Sequence, residues 1–271
     1  MTMPNFVAVL VLRLRMIAEG LATLYQIPAA ILTADGSGWK AKATAAAQDP
    51  LFQRRALRFF RAFLPNLRVR FKLETAYPNS GSALVTRYDD VIEVLDRNAD
   101  FEVVYEPRML AITGGENFFL GMQDTAHYTR DVSNMRLAMR RDDVATIVEP
   151  LARRRAERLV AEKAGRLDVP QDLTLPVPTA IVTDYFGITG APGDKLMAWA
   201  TVMFAYLFTD IRADPVLGAE ALDAAGECRS AFDAAIARRK ASGERKDDVL
   251  GRCLVMQAAG LPGMDDLGIR N

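Results

Sequence analysis

Apolar residues recur at helical spacing between residues 51 and 64, and they alternate with charged residues between residues 67 and 75. The first pattern predicts an amphipathic helix with arginines on its polar side, which Pro65 ends. The second pattern has the period of a half-buried strand. Turn-forming residues at 77–81 precede a second short apolar run at 83–86, so the two runs predict a β-hairpin.

Helical periodicity dominates the chain after this hairpin. Residues 88–98 predict a short helix, and residues 101–121 predict a long loop. Asp124 is the predicted N-cap of the next helix, whose apolar face carries Met135 and Met139. Further helices are predicted at residues 143–163, 173–188, 192–210, 215–240 and 247–259. The pattern therefore predicts a mainly α-helical fold with one small β-hairpin near the N-terminus.

The first 49 residues are predicted to form an apolar and basic appendage that ends in a linker. Residues 6–12 are all apolar, but Arg13 and Arg15 interrupt the run, and a membrane-spanning helix needs about 20 predominantly apolar residues. No signal-peptide cleavage site clearly follows the run. We therefore expect residues 1–49 to lie on a membrane surface or on the protein itself, and residues 50–271 to be part of one domain.

Charge is distributed unevenly along the chain. Residues 1–72 contain eleven Lys and Arg and three acidic residues, which leaves +8, and the remainder carries −8 because the whole chain is neutral. A basic surface suits acidic lipid or an acidic partner, or is simply solvated, and no nucleic-acid-binding motif accompanies it. Cys228 and Cys253 have the spacing of neither a disulfide framework nor a zinc site, so a cytoplasmic location is expected.

Several segments follow one another in an order that carries further information. They are LVTRYDDVIEVLDRNADF at residues 84–101, residues 124–136 with IVEPL at 147–151, LDV at 167–169 with TAIVTDYFG at 179–187, and KDDVLGRCL at 246–254 with MDDLGIRN at 264–271. In this order they resemble the first half of the cytochrome P-450 haem-thiolate monooxygenases. The resemblance runs from about residue 50 onward, and it implies a P-450-like helical fold that is truncated before the long central helix.

The resemblance implies haem iron as cofactor, two electrons from a redox partner that is a ferredoxin or a flavoprotein, and oxygen insertion into a small apolar substrate. In this family, a histidine or basic residue of the third helix holds a haem propionate, in a pattern such as His-x-x-x-Arg. His127 is the chain's single histidine, but residue 131 is Asp and an arginine lies at residue 130. The resemblance therefore implies haem contacts from His127 and Arg130. An alternative register places Tyr128 at the family's histidine position.

The chain also departs from the family's pattern. The axial cysteine lies in a loop reading Phe-x-x-Gly-x-x-x-Cys-x-Gly, and neither Cys228 nor Cys253 has those glycines. No glutamate is followed by arginine three residues later, so the Glu-x-x-Arg motif is absent as well. The acid and threonine of the central helix would come after Asn271. We therefore expect no monooxygenase activity from this chain alone, and we expect Cys253 to be a buried small apolar residue.

Two interpretations stay open at this point. Phe118 and Phe119 either line a substrate pocket, as the resemblance implies for their loop, or pack in the core. The whole chain is either part of a haem-dependent monooxygenase or a non-catalytic helical protein that binds a membrane surface or a partner through its basic N-terminus.

Overall fold

The computed structural model describes residues 6–72, 74–78, 80–116, 118–163 and 165–271, with side chains from residue 10 onward. The predicted strand, turn, loop and appendage include residues that lie outside this description, namely Leu73, Asn79, Asn117 and residues 1–5. The described part is mainly helical, as the sequence predicts. It forms two compact units, Met1–Glu74 with Pro78–Phe101 and Thr75–Tyr77 with Glu102–Asn271, and this division does not test the boundary that we predicted at residue 50.

The first unit contains four helices and a hairpin within the described residues. They are α1 (Phe6–Thr33), α2 (Trp39–Gln48), α3 (Pro50–Phe63), β1 (Leu67–Val69), β2 (Ser82–Leu84) and α4 (Tyr88–Asp96). The strands are antiparallel, with Leu67 opposite Leu84 and Val69 opposite Ser82. Helix α3, the hairpin and α4 confirm the predicted elements, although each strand has only three residues. Helix α2 was not predicted, because its alanine-rich sequence shows no apolar periodicity.

Helices α1 and α3 pack closely against each other in this unit. A side chain at Gly20 would collide with the Cβ of Ala62, so this glycine permits the close approach. Glu19 of α1 accepts charge-assisted hydrogen bonds from Arg15 at 3.0 Å and from Arg61 of α3 at 3.3 Å. The basic side of α3 is therefore partly neutralised by α1.

Much of the apolar surface of α1 is nevertheless exposed. The exposed side chains include Leu12, Leu14, Leu21, Leu24 and Leu32. Among the described residues, Leu10–Thr33 form a helix that is long and apolar enough to cross a membrane by length and composition. The sequence prediction of a surface-lying appendage rests on the charges at Arg13 and Arg15, and it stays a prediction.

The second unit contains the remaining helices. They are α5 (Glu106–Thr113), α6 (Ala126–Ala138), α7 (Glu149–Glu162), α8 (Pro176–Asp184), α9 (Gly193–Phe204), α10 (Pro215–Ser242), α11 (Val249–Ala258) and α12 (Asp266–Arg270). A single 3-10 turn at Phe119–Gly121 and π-helical turns at Val144–Val148, Val169–Thr174 and Ala205–Thr209 complete the regular structure of its described residues.

Two predictions in this region were wrong in detail. Helix α5 lies inside residues 101–121, which we predicted as a loop because of Pro107 and Gly114. Those residues bound a helix instead, since Pro is favoured in the first turn and Gly114 takes the left-handed conformation, with φ of 82°, that ends one. Helix α6 is capped by Thr125, whose Oγ1 accepts from the backbone N–H of Tyr128 at 3.2 Å, and not by Asp124.

The buried core of the second unit includes an ion pair with two hydrogen bonds. Arg239 of α10 donates two hydrogen bonds to Asp248, at 3.0 and 2.9 Å, and the Asp248 side chain is only 2% exposed. Asp248 also accepts from the backbone N–H of Gly251 at 2.8 Å and so caps α11. Its carboxylate lies where a side chain at Gly187 would be, which explains why glycine follows α8 there.

We expect Asp248→Asn to lower the free energy of unfolding by about 3 kcal/mol, because the variant keeps an acceptor for the cap but leaves the buried Arg239 only the exposed carboxylate of Glu244, 3.6 Å away, as a counter-charge. Urea denaturation measures the change. Asp266→Asn is the matched control, because Asp266 pairs with Lys240 at the surface and its loss should cost less than about 1 kcal/mol. Equal losses in the two variants would contradict the proposed role of the buried pair.

Candidate functional site

A cavity of about 680 Å³ lies within the second unit, between α6, α10, α11, α12 and the segment around Phe119. This volume is in the range of small-molecule sites. The walls are largely apolar, with side chains that include Met135, Met139, Phe186, Phe232, Ile236, Leu250, Met264 and Ile269. We call it the apolar cavity.

The spacing of the wall residues along each helix places them on the helix face that lines the cavity. Met135 and Met139 are four residues apart at the end of α6, and Phe232 and Ile236 are four residues apart on α10. Side chains at this spacing lie one turn apart on the same face of a helix. Helix α10, and α6 together with its C-cap residue Met139, therefore each contribute two large apolar side chains to the same cavity.

A buried polar cluster supports the wall formed by α11. Arg252 donates to the carbonyl oxygen of Ala138 at 3.0 Å and forms an ion pair with Asp143, and the hydroxyl of Tyr185 donates to Asp143 at 2.9 Å. We call Arg252, Asp143 and Tyr185 the Arg252 cluster. It joins the end of α6, the residue after α8 and α11, so it fixes the position of Cys253 in the cavity wall.

The cluster also sets the ionisation of its members. Hydrogen bonding from Arg252 lowers the pKa of Asp143 below its usual value of 3.8, although burial acts in the opposite direction. Burial raises the pKa of Tyr185, and its hydrogen bond to Asp143 adds to the effect. Asp143 is therefore a carboxylate and Tyr185 a neutral hydroxyl at neutral pH.

The polar rim of the cavity carries both side chains that we predicted as haem contacts. His127 and Arg130 line the cavity, and both contact Asp131. The Nε2 atom of His127 lies 3.2 Å from the Asp131 carboxylate, and the Nη2 atom of Arg130 lies 2.7 Å from it. All three side chains are at least partly exposed, at 52%, 41% and 25%. The rim is thus a compact cluster in which Asp131 neutralises Arg130.

Cys253 is the single sulfhydryl in the described lining of the cavity. Its side chain is buried, and burial raises its pKa to about 11. Cys253 is therefore a protonated thiol at neutral pH and behaves as a small apolar wall residue, as the sequence led us to expect. Cys228 is also held as a thiol, since burial raises its pKa to about 11, and it does not line the cavity.

The chemistry of these donors does not fit haem in this chain alone. Haem of the thiolate class needs a cysteine thiolate as its proximal ligand, and Cys228 and Cys253 lie within α10 and α11 without the glycine-containing loop that presents this ligand in the family. The two predicted propionate partners already share the carboxylate of Asp131, which would repel a propionate at the same position. Among the described residues, no group of three or more His, Cys, Asp or Glu forms a candidate metal site.

The sequence located part of this site and missed the rest. His127, Arg130, Phe118 and Phe119 all line one cavity, while Tyr128 of the alternative register does not. The role of His127 and Arg130 as cofactor contacts stays a prediction. The contribution of α10 was missed, because the four-residue spacing of its apolar side chains indicates a buried face without indicating what that face meets.

Acidification is expected to weaken the second unit through Asp143. Because the folded pKa of Asp143 lies below its usual 3.8, the Arg252 cluster contributes its full stability above that value, and the contribution is lost as the pH falls through the folded pKa. Urea denaturation between about pH 5 and pH 2 should show a smaller fall in the free energy of unfolding for Asp143→Asn than for the unchanged protein. The exposed neighbour Asp142 provides the control, since Asp142→Asn should keep the original profile. An unchanged slope in Asp143→Asn would refute this assignment.

Comparisons with known proteins do not place the chain in a family. No model of a protein family matches it, and no curated protein is similar to it. The relation to cytochromes P-450 therefore rests on the sequence segments quoted above and is a proposal.

Proposed function

We propose that this chain is the N-terminal portion of a cytochrome P-450-like protein, and that its own role is to hold a small apolar molecule in the apolar cavity. The observation that carries this proposal is the coincidence of two independent features. The resemblance implies that His127 and Arg130 contact a cofactor. Both side chains lie at the rim of an apolar cavity of about 680 Å³. Phe118 and Phe119 line the same cavity, in keeping with a substrate pocket.

The chemistry of the cavity favours a neutral ligand. An apolar ligand would remove apolar wall surface from water, which favours binding by about 25 cal/mol per Å² of surface buried. The carboxylate of Asp131 already compensates Arg130, so the rim offers an anionic ligand little unpaired positive charge. Arg270, at the same cavity, is likewise paired, with Asp233 at 3.2 Å. A neutral molecule with one hydrogen-bonding group is therefore the best match.

Oxygen insertion does not follow from this chain alone. In the family that the chain resembles, the haem supplies oxygen activation, and a ferredoxin or flavoprotein supplies electrons. Neither Cys253 nor Cys228 matches the position of the axial ligand, because both lie within helices and lack the glycine-containing loop of that family. We propose that the chain binds the apolar substrate class of a monooxygenase without catalysing the reaction by itself, in the cytoplasm or at a membrane surface.

Binding can be tested with 1-octanol as the probe. Calorimetry measures its affinity for the protein. Leu267→Trp places a large ring at a partly exposed position of the cavity wall, and we expect it to weaken octanol binding about tenfold or more by occupying the ligand's space. Val255→Trp is the control, because Val255 is exposed on α11 and does not line the cavity. Octanoate should bind more weakly than octanol. Equal effects of the two tryptophans, or no saturable binding, would argue against the proposal.

The absence of monooxygenase chemistry has a separate test. The chain is mixed with haemin, reduced and exposed to carbon monoxide, and the difference spectrum is recorded. We expect no Soret band at the position of thiolate-ligated haem, because both cysteines lie within helices and lack the loop that presents the axial ligand in that family. A thiolate-type band that disappears in Cys253→Ser would show that this side chain ligates iron after all.

A second candidate function is attachment to a membrane surface through α1. The exposed leucines of this helix and the basic residues of α3 favour it. In flotation with anionic liposomes, we expect the double variant Leu14→Glu, Leu21→Glu to lose most of the bound fraction, because charge is costly to bury among lipid chains. Val216→Glu alters an exposed apolar residue of α10 and should float normally. If the double variant floats as well as the unchanged chain, this function is excluded.

A further inference from the structure

A second, smaller pocket lies in the second unit, away from the apolar cavity, and its chemistry is different. It has a volume of about 280 Å³ and lies between α7 and α8. Its described lining is Leu151, Arg154, Arg155 and Arg158 of α7 with Ala180 and Asp184 of α8. None of these residues lines the apolar cavity. From its arginines we propose that this pocket binds a phosphate group, and we call it the arginine pocket.

The three arginines share one face of α7. Arg154 and Arg158 are four residues apart, and Arg155 and Arg158 are three apart, so their side chains are neighbours on the helix surface. Like charges at these spacings repel one another and destabilise a helix. A basic cluster of this kind therefore has a cost in the free protein that a bound anion would relieve.

The charge of the pocket is compensated only in part by the residues that line it. None of its three arginines forms an ion pair with a described residue. The adjacent Arg153 differs, because it pairs with Glu149 on the same helix at 2.7 Å. Asp184 is the single acidic side chain in the pocket lining, so three positive charges face one negative charge.

An independent observation points to a missing acceptor. The Nε–H group of Arg155 is buried, and no described residue accepts a hydrogen bond from it. A buried donor of a charged group without an acceptor is costly, and such groups in folded proteins usually meet an ordered water or an ion. Since Arg155 lines the pocket, a shift of its side chain toward the pocket would bring this N–H group within reach of an oxygen atom of a bound anion.

The size and charge of the pocket favour a phosphate monoester or inorganic phosphate. Guanidinium groups match phosphate oxygens with paired, charge-assisted hydrogen bonds. The net charge of about +2 that three arginines and one aspartate leave complements a phosphate dianion. A volume of about 280 Å³ is below the usual range for drug-sized ligands, so it suits a compact head group. The phosphate can come from solution or from a lipid head group.

Inorganic phosphate is the first probe, titrated at constant ionic strength and followed by phosphorus NMR. We expect saturable binding that Arg155→Gln and Arg158→Gln each weaken about tenfold or more, since each removes a charge-assisted hydrogen-bond donor. Arg153→Gln is the matched control, because it removes one positive charge from the same helix outside the pocket, and it should change the affinity less than about twofold. Arg158 is exposed, so its variant should fold even if the Arg155 variant does not, and circular dichroism checks this.

Vesicles distinguish the two sources of phosphate. Phosphatidic acid presents a phosphate monoester, whereas phosphatidylglycerol at equal charge presents a diester. Binding of inorganic phosphate that depends on Arg155 and Arg158 supports a soluble ligand. Binding to phosphatidic acid vesicles alone, with the same dependence, supports a lipid head group. The proposal is overturned if neither probe binds, if Arg153→Gln has the same effect, or if the pocket variants bind as well as the unchanged chain.

Discussion

The guanidinium group of Arg252 is buried where three parts of the second unit meet, and the arrangement there follows from the need to compensate its charge. It forms an ion pair with Asp143, a hydrogen bond to the carbonyl of Ala138 and a further ion pair with Asp247 at the surface. A buried charge is strongly destabilising unless all its donors find acceptors. These acceptors lie near the end of α6 and ahead of α7 and α11, so satisfying Arg252 fixes these elements relative to one another. The position of α11 in the wall of the apolar cavity follows from this arrangement.

Local features of the sequence predicted the helices and strands, but they did not predict the contacts between them. The helical spacing of α3 and the alternation of the hairpin were visible in the sequence, and the structure places His127 and Arg130, three residues apart on α6, at the same cavity. Helix α5 was missed because proline and glycine, here Pro107 and Gly114, are also typical of loops. In that case, the position of each residue relative to the helix ends decided the structure.

Long-range pairing could not be read from the sequence. Arg252 lies in the segment KDDVLGRCL, and nothing near it identifies Asp143, 109 residues away, as its partner. The Arg239 and Asp248 pair is only nine residues apart, yet its two side chains belong to opposite sides of a turn. The apolar cavity depends on such pairings, since Met135 and Ile236 reach it from helices that are far apart in sequence.

Two pockets of opposite character therefore share one unit. The apolar cavity has largely apolar walls and a rim in which His127 and Arg130 contact Asp131, so it is suited to holding a neutral molecule. The arginine pocket is smaller and has unpaired positive charge. The first pocket accommodates an apolar body, and the second attracts a compact anion, so the two need not be filled by the same molecule.

The central claim is that the apolar cavity is a ligand site, and NMR of methionine methyl groups tests it most directly. Met135, Met139 and Met264 line the cavity, whereas Met197 and Met203 of α9 do not. With carbon-13 in the methionine methyl groups and 1-octanol as the ligand, we expect saturable shifts of the three cavity signals and none of the two α9 signals. Unchanged cavity signals, or shifts confined to α9, would show that the cavity does not hold the molecule.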